Sequence, residues 1–396
     1  MTISIEHFEM LQMLLLVVSI AAMLTNKLRL PYSVVLVLIG GILAFFPIIA
    51  NITVTSDLIY KILLPPFIFQ AALFLPQKAL LKESPLIISM ATIGVVLAAA
   101  IVTVGLHWLL DWPWICAAIF GALISATDTI SVIAIFKELH VSERLKLLVE
   151  GESLFNDGTA AVMFTILVAI AGGSSLSLST ILLTLVFMVI GSIICGTLIT
   201  FLIIFMIGKT NDHLVEITLT TVAAYGSFLL AEYFHLSGVL ATLTAGLIVG
   251  NKSALLSERG HIAVIAFWEY LAFISNSFVF LLIGIREVQQ PFQQFWVTSI
   301  IAIIVMLLGR FISVYFIGLV FSTSSLRMTM RYQHILCWGG LRGALALALA
   351  LGLPETIPYR EEITSVAFFV VAFSIIVQGI TIRPLLNYLG ELKAKP

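Results

Sequence analysis

Charge is what this sequence has least of. Asp, Glu, Lys and Arg make up 10% of its 396 residues, against about 25% in a soluble domain. No extended loop, low-complexity tract or segment of soluble composition breaks the apolar runs for long. The two signs nearly cancel, and a net charge of −1 gives no general attraction to nucleic acid or anionic surfaces. A Gly-rich phosphate loop ending in Lys-Ser/Thr is missing, which argues against ATP as an energy source. Cysteine is scarce too. Cys116, Cys195 and Cys337 sit inside apolar runs without metal-ligand spacing, and free cysteine prefers such buried sites, so packing is their expected role. No basic residue precedes Lys27. A cleavable signal peptide begins with positive charge, so the first apolar run reads as a retained span.

What the chain has in abundance is hydrocarbon, with 61% of its residues hydrophobic. Apolar runs of membrane-spanning length recur from end to end. Cutting at charged, Pro-rich and Gly/Ser-rich breaks yields thirteen predicted helices, at about 8–24, 31–49, 58–75, 86–107, 113–136, 147–171, 180–207, 215–234, 237–250, 262–284, 294–321, 333–353 and 363–386. With the N-terminus outside, fifteen Lys and Arg residues collect on the cytoplasmic side, from Lys27 and Arg29 to Lys393 and Lys395, against Arg286 and Arg360 outside. That asymmetry is the one the positive-inside rule requires, and one helix more or fewer would scramble it. The expected fold is therefore an all-α polytopic membrane protein, N-out and C-in.

Three basic residues remain inside apolar runs: Lys61, Arg310 and Arg342. Lys61 is near enough to the end of the third span to reach the headgroups. The other two need partners, because an ionisable group at mid-bilayer costs at least ~2.5 kcal/mol and is a functional hypothesis by default.

Such groups concentrate in four places. The fifth span reads ISATDTIS over residues 124–131, so that Ser125, Thr127, Asp128, Thr129 and Ser131 form a polar knot at mid-span. Short hydroxyl and carboxylate side chains can satisfy the backbone of an unwound segment. The sixth span reads EGESLFNDG over residues 150–158. Ser153 and Asp157, four apart, share a helical face and can offer oxygens to one ion. Glu152 lies about 140° away from Asp157 around the helix, which casts it as an ion-pair member facing another neighbour. Asn156 adds a neutral polar group beside Asp157. Arg310 in the eleventh span stays protonated and demands an acid, and Glu152 is the available one. In the twelfth span, Gly339, Gly340 and Gly343 favour an interruption, and Arg342 sits within it, where a half-helix C-terminus would present its negative end.

The two interrupted spans, the fifth and the twelfth, are seven apart. An odd offset reverses orientation, so spans 4–6 and 11–13 are expected to be inverted repeats. Interrupted segments in corresponding positions of two halves point to a transporter binding site. An intramembrane aspartyl protease, suggested by two membrane aspartates, would need a paired dyad, typically in Gly-x-Gly-Asp. That string is absent. A channel or an ion sensor would lack ion-coupled proton flux.

The strings TDTISVIAIFKEL, ERLKLLVEGESLFNDGTA and GGLRGALALAL, with LPPFIFQAALFLP and VQGITIRPLL, resemble the monovalent cation:proton antiporter family, in its branch of NhaP proteins and sodium/hydrogen exchangers. The resemblance spans essentially the whole chain. It implies a homodimer in which each protomer has a core of two crossed, discontinuous helices, here about 86–171 and 294–386, and a dimerisation part, about 8–75 and 180–284. It implies that Asp157 binds the ion, with Asn156 before it, Ser153 as a ligand, and Thr127 and Asp128 on the unwound helix. It also implies a Glu152–Arg310 ion pair, and Arg342 as the charge on the second unwound helix. Two departures stand out. Thr129 replaces the family's usual proline, and Gln70 stands where relatives often carry an acid.

The expected activity is exchange of Na+, or Li+, for H+ across the cell membrane, with potassium/proton exchange as the rival within the class. A hard cation prefers oxygen ligands, which Asp157, Ser153 and Thr127 would supply. Desolvation raises a carboxylate's proton affinity, so proton and ion would compete for Asp157. By resemblance, Asn156 implies electroneutral one-for-one transport. No cofactor beyond the transported ions and no enzymatic activity are expected. The seven histidines, His7, His107, His140, His213, His235, His261 and His334, fall at or near predicted helix ends.

Overall fold

A computed structural model describes residues 5–28, 30–46, 56–128, 132, 136, 141–173, 178–252, 256–288, 290 and 292–391. Among them the regular structure is helical, in order α1 (Ile5–Leu28), α2 (Tyr32–Leu43), α3 (Leu58–Phe74), α4 (Gln77–Leu110), α5 (Trp114–Ser125), α6 (Glu143–Ala171), α7 (Leu178–Ile207), α8 (His213–Tyr233), α9 (Gly238–Asn251), α10 (Glu258–Val288), α11 (Phe292–Val320), α12 (Met330–Gly339), α13 (Ala344–Leu351) and α14 (Arg360–Leu389). Each predicted span falls on one of these, the twelfth on α12 and α13 together and the fifth on α5 for its first half, its second half lying mostly outside the described residues. Seven are long and apolar enough to cross a membrane, and five more are shorter apolar helices. The chain is a multi-pass membrane protein. Bulky apolar side chains stand exposed along α7, Phe187 at 66% and Phe205 at 63% among them, a stripe that hydrocarbon tolerates and water does not.

Helix ends differ from the expectation mostly by running longer, although α2 stops at Leu43, short of the expected residue 49. The fourth span was expected from residue 86, yet α4 begins at Gln77. Charged residues such as Lys82 and Glu83 end a hydrocarbon run without ending a helix, whose hydrogen bonds continue into the headgroup layer. Proline did not stop it either. Pro85 lacks the N–H that Leu81 would receive, and the Ser84 hydroxyl donates to that carbonyl instead, at 2.8 Å. A π-helical turn follows at Met90–Gly94. In α3, Pro66 likewise frees the Ile62 carbonyl, which accepts from Tyr225 Oη on α8 at 2.9 Å.

Packing sorts the helices into two groups. The second half of α4 lies against α5 and α11, α6 against α5 and the first half of α4, and α14 against α11 and α13. In the other group α10 runs along α2, α9 packs between α3, α7 and α8, and α1 rests on α2. The groups meet where α6 touches α7, α9 and α3, where α14 touches α10 and α2, and where α13 touches the first turns of α3.

Candidate functional site

The two interruptions meet at the centre of the first group. α5 stops at Ser125 because Ala126 turns extended (φ −58°, ψ 138°). Asp128 then donates its backbone N–H to the Leu341 carbonyl at 2.7 Å, an antiparallel bridge between the break in the fifth span and the break in the twelfth. The second break runs from the end of α12 at Gly339 to the start of α13 at Ala344. Gly343 is required there by close approach. A Cβ on it would fall 2.7 Å from Asp128 Cγ, nearer than side chains come. The N-terminus of α13, with its partial positive charge, thereby lies against the Asp128 side chain.

The opposite end is handled in the mirror sense. The carbonyls of Ser125 and Ala126, left without helical donors, accept from Arg342 Nη1 at 3.0 and 3.1 Å. Arg342 is 1% exposed. Its backbone N–H donates to Ser374 Oγ at 2.9 Å, Ser374 Oγ donates to Gln378 Oε1 at 2.6 Å, and Gln378 Nε2 donates to the Trp338 carbonyl at 3.1 Å. Sequence reasoning missed Ser374 and Gln378. The available signal was an amide inside the apolar run FSIIVQGITI.

α6 supplies the third side. The Asn156 carboxamide, fully buried, accepts from the Thr127 N–H at 3.2 Å and donates to Thr127 Oγ1 at 2.6 Å. Ser153 Oγ donates to the Thr127 carbonyl. Thr127 is thus held at three atoms by α6, which stands in for the helical bonds its backbone has lost. Asp157 is 6% exposed and close enough to Asp128 for the two carboxylates to interact. Among the described residues nothing donates a hydrogen bond to it. The structure therefore brings Thr127, Asp128, Ser153, Asn156, Asp157 and Arg342 to one place.

Glu152 and Arg310 form a separate, buried pair. Nη1 donates to Oε1, and Nη2 to Oε2 at 2.9 Å, the two-pronged geometry that a planar guanidinium favours. Arg310 also donates to the Leu336 carbonyl of α12 from Nε at 3.2 Å and Nη2 at 2.8 Å. One cation thus ties α6, α11 and α12 together. Glu152 faces away from the crossing, as its angle on the helix requires.

Of the remaining residues singled out, Lys61 pairs with Asp57 at 2.9 Å and Gln70 is half-buried on α3. Thr129, Ser131 and His140 lie outside the described residues. His334 bonds Tyr315, and His107 Nδ1 lies 2.7 Å from the Trp112 carbonyl with its ring stacked on Trp114. The three cysteines are buried and free. Sequence reasoning also missed the Glu83–Arg144 pair, at 2.8 and 3.0 Å, whose arginine also reaches the Leu326 and Arg327 carbonyls before α12.

Two helix breaks bridged to each other in mid-bundle, with Arg342 closing the end of α5, the α13 N-terminus facing Asp128 and a spare carboxylate beside them, are the arrangement of a secondary transporter. The family model of the transmembrane sodium/hydrogen exchanger matches residues 13–388, and the chain belongs to that family, which is one of membrane antiporters. The chain is 38% identical over 370 residues to the Na(+)/H(+) antiporter ApNhaP of Aphanothece halophytica, covering 91% of this chain and 70% of that one. It is 34% identical over 398 residues to the Na(+)/H(+) antiporter NhaH of Halobacillus dabanensis, covering 96% and 97%. The fold matches the solved structure of the sodium proton antiporter MjNhaP1 from Methanocaldococcus jannaschii at pH 8, with a TM-score of 0.76 at 20% identity, covering 97% of this chain and 98% of that one.

Proposed function

We propose that this chain exchanges one sodium ion for one proton at Asp157, by exposing that carboxylate to the two sides of the cell membrane in turn. The observation that carries the reading is the charge inventory at the crossing. Glu152 and Arg310 neutralise each other, Arg342 is taken up by the Ser125 and Ala126 carbonyls, the α13 N-terminus faces Asp128, and Asp157 is left over. A desolvated carboxylate takes up a proton or a cation. Asp157, the Ser153 hydroxyl and the Thr127 oxygens are the ligands for sodium, as an oxygen-seeking ion requires. Asn156 contributes no charge, so each half-cycle carries the same net charge. Lithium fits the same oxygens.

The domain reading follows the packing. α4–α6 and α11–α14 form the moving core, while α1–α3 and α7–α10 form the scaffold through which two copies dimerise. The asymmetry of the basic residues supports an N-terminus outside and a C-terminus in the cytoplasm.

The test is a proteoliposome experiment with a quenched pH dye inside. Sodium added outside restores fluorescence as protons leave, and potassium at equal concentration does not. Restoration by potassium alone would overturn the sodium reading, and no response to any cation would overturn exchange itself.

A further inference from the structure

Gly158, the residue after Asp157, is a point of close approach between the two helix groups. A Cβ there would stand 2.5 Å from Leu240 Cγ. Leu240 is on the first turn of α9, and that turn is anchored away from α6. The Ser237 hydroxyl caps the helix by accepting from the Leu240 N–H at 3.3 Å. Ser192 Oγ of α7 accepts from the Ser237 N–H at 2.8 Å, and Glu232 Oε1 of α8 accepts from the Gly238 N–H at 3.0 Å. Leu240 is therefore fixed to the second group while its side chain, 8% exposed, fills the hollow that Gly158 leaves in the first. Toward the Asn251 end of α9 the same boundary opens. A cleft of about 480 Å³ is lined there by Leu81, Ile88, Phe155, Phe201, Leu247 and Asn251.

We propose that Leu240 seated on Gly158 is a latch. It holds Asp157 closed toward the Gly238 end of α9 and leaves it approachable from the Asn251 end, so that the fit of leucine into the missing side chain sets the resting balance between the two exposures. Leu240 is a positioning residue, acting through the α6–α9 boundary and not on the ion. The physical basis is shape. Packed surfaces have discrete arrangements, not continuous ones, and a methyl added to the hollow forfeits the seated arrangement. The inference rests on the exchange reading above.

The test measures half-saturating sodium from each side in proteoliposomes, with sidedness assigned by labelling Lys252→Cys, on the exposed end of α9. Gly158→Ala is expected to weaken apparent affinity at the Asn251 face severalfold relative to the other face. Leu240→Ala in that background is expected to restore the ratio to within twofold of the parent. Leu240→Ala alone, which empties the hollow and adds no bulk, also shifts the ratio and keeps the test open if Gly158→Ala does not fold. An unchanged ratio in Gly158→Ala, meaning that Leu240 merely swings aside, would overturn the latch, as would losses that add in the double variant. If the parent itself shows no sodium-driven proton flux, the exchange reading fails first, and the two failures are distinguishable.

Discussion

Arg342 belongs to one interrupted helix and closes the other: its guanidinium donates to Ser125 and Ala126 at the end of α5, 3.0 and 3.1 Å away. Asp128 reciprocates from the first break, lying against Gly343 at the start of α13. Neither break is stable alone, because each exposes carbonyls or N–H groups that hydrocarbon cannot satisfy.

Arg342→Ala should therefore damage structure as well as transport. It strands two buried carbonyls at the end of α5. Lysine at 342 keeps the charge but offers a single ammonium in place of the planar fork. The expected order in both thermal stability and exchange rate is arginine, then lysine, then alanine. Equal melting temperatures for parent and Arg342→Ala would show that the carbonyls find other donors.

Asp157→Asn is expected to abolish sodium-dependent proton movement while the protein still inserts and purifies as a folded species. Among the described residues no hydrogen bond depends on that carboxylate, so its loss removes charge and leaves the scaffold whole. Near-parental exchange in the variant would remove Asp157 from the centre of the mechanism.

Glu152 and Arg310 make the opposite prediction. Deleting one partner of a buried pair costs about 3–5 kcal/mol, because the other charge is stranded. Glu152→Gln and Arg310→Ala should each lower yield and melting temperature, and the double variant should lose less than the sum. Strictly additive losses in a double-mutant cycle would contradict the contact seen between them.

Exchange should be electroneutral, with sodium and proton competing for one carboxylate. Apparent sodium affinity should fall roughly tenfold for each pH unit below the point at which Asp157 takes up its proton, since one proton excludes one ion. Clamping the membrane potential with potassium and valinomycin provides the check on charge. A sodium-for-proton rate that responds strongly to the imposed voltage would show that Asp128, or another group, carries an additional charge through the cycle.

Most of this protein was legible in one dimension, because hydrocarbon is a demanding solvent. Apolar runs marked the helices, and the Glu152–Arg310 pair followed from an angle on α6 and the shortage of buried acids. Glycines and short polar residues marked both breaks. Helix limits were misjudged at Gln77, because charge ends a hydrocarbon run while hydrogen bonding carries the helix onward. The crossing itself was decided only in three dimensions. Which carbonyls Arg342 reaches, that Asn156 holds Thr127 by two atoms, and that Ser374 and Gln378 hold the Arg342 backbone all depend on residues 29 to 217 positions apart meeting in space. Such meetings are set by how helices pack, and the seat of Leu240 on Gly158 is of the same kind. A missing side chain acquires meaning only when another helix fills its place.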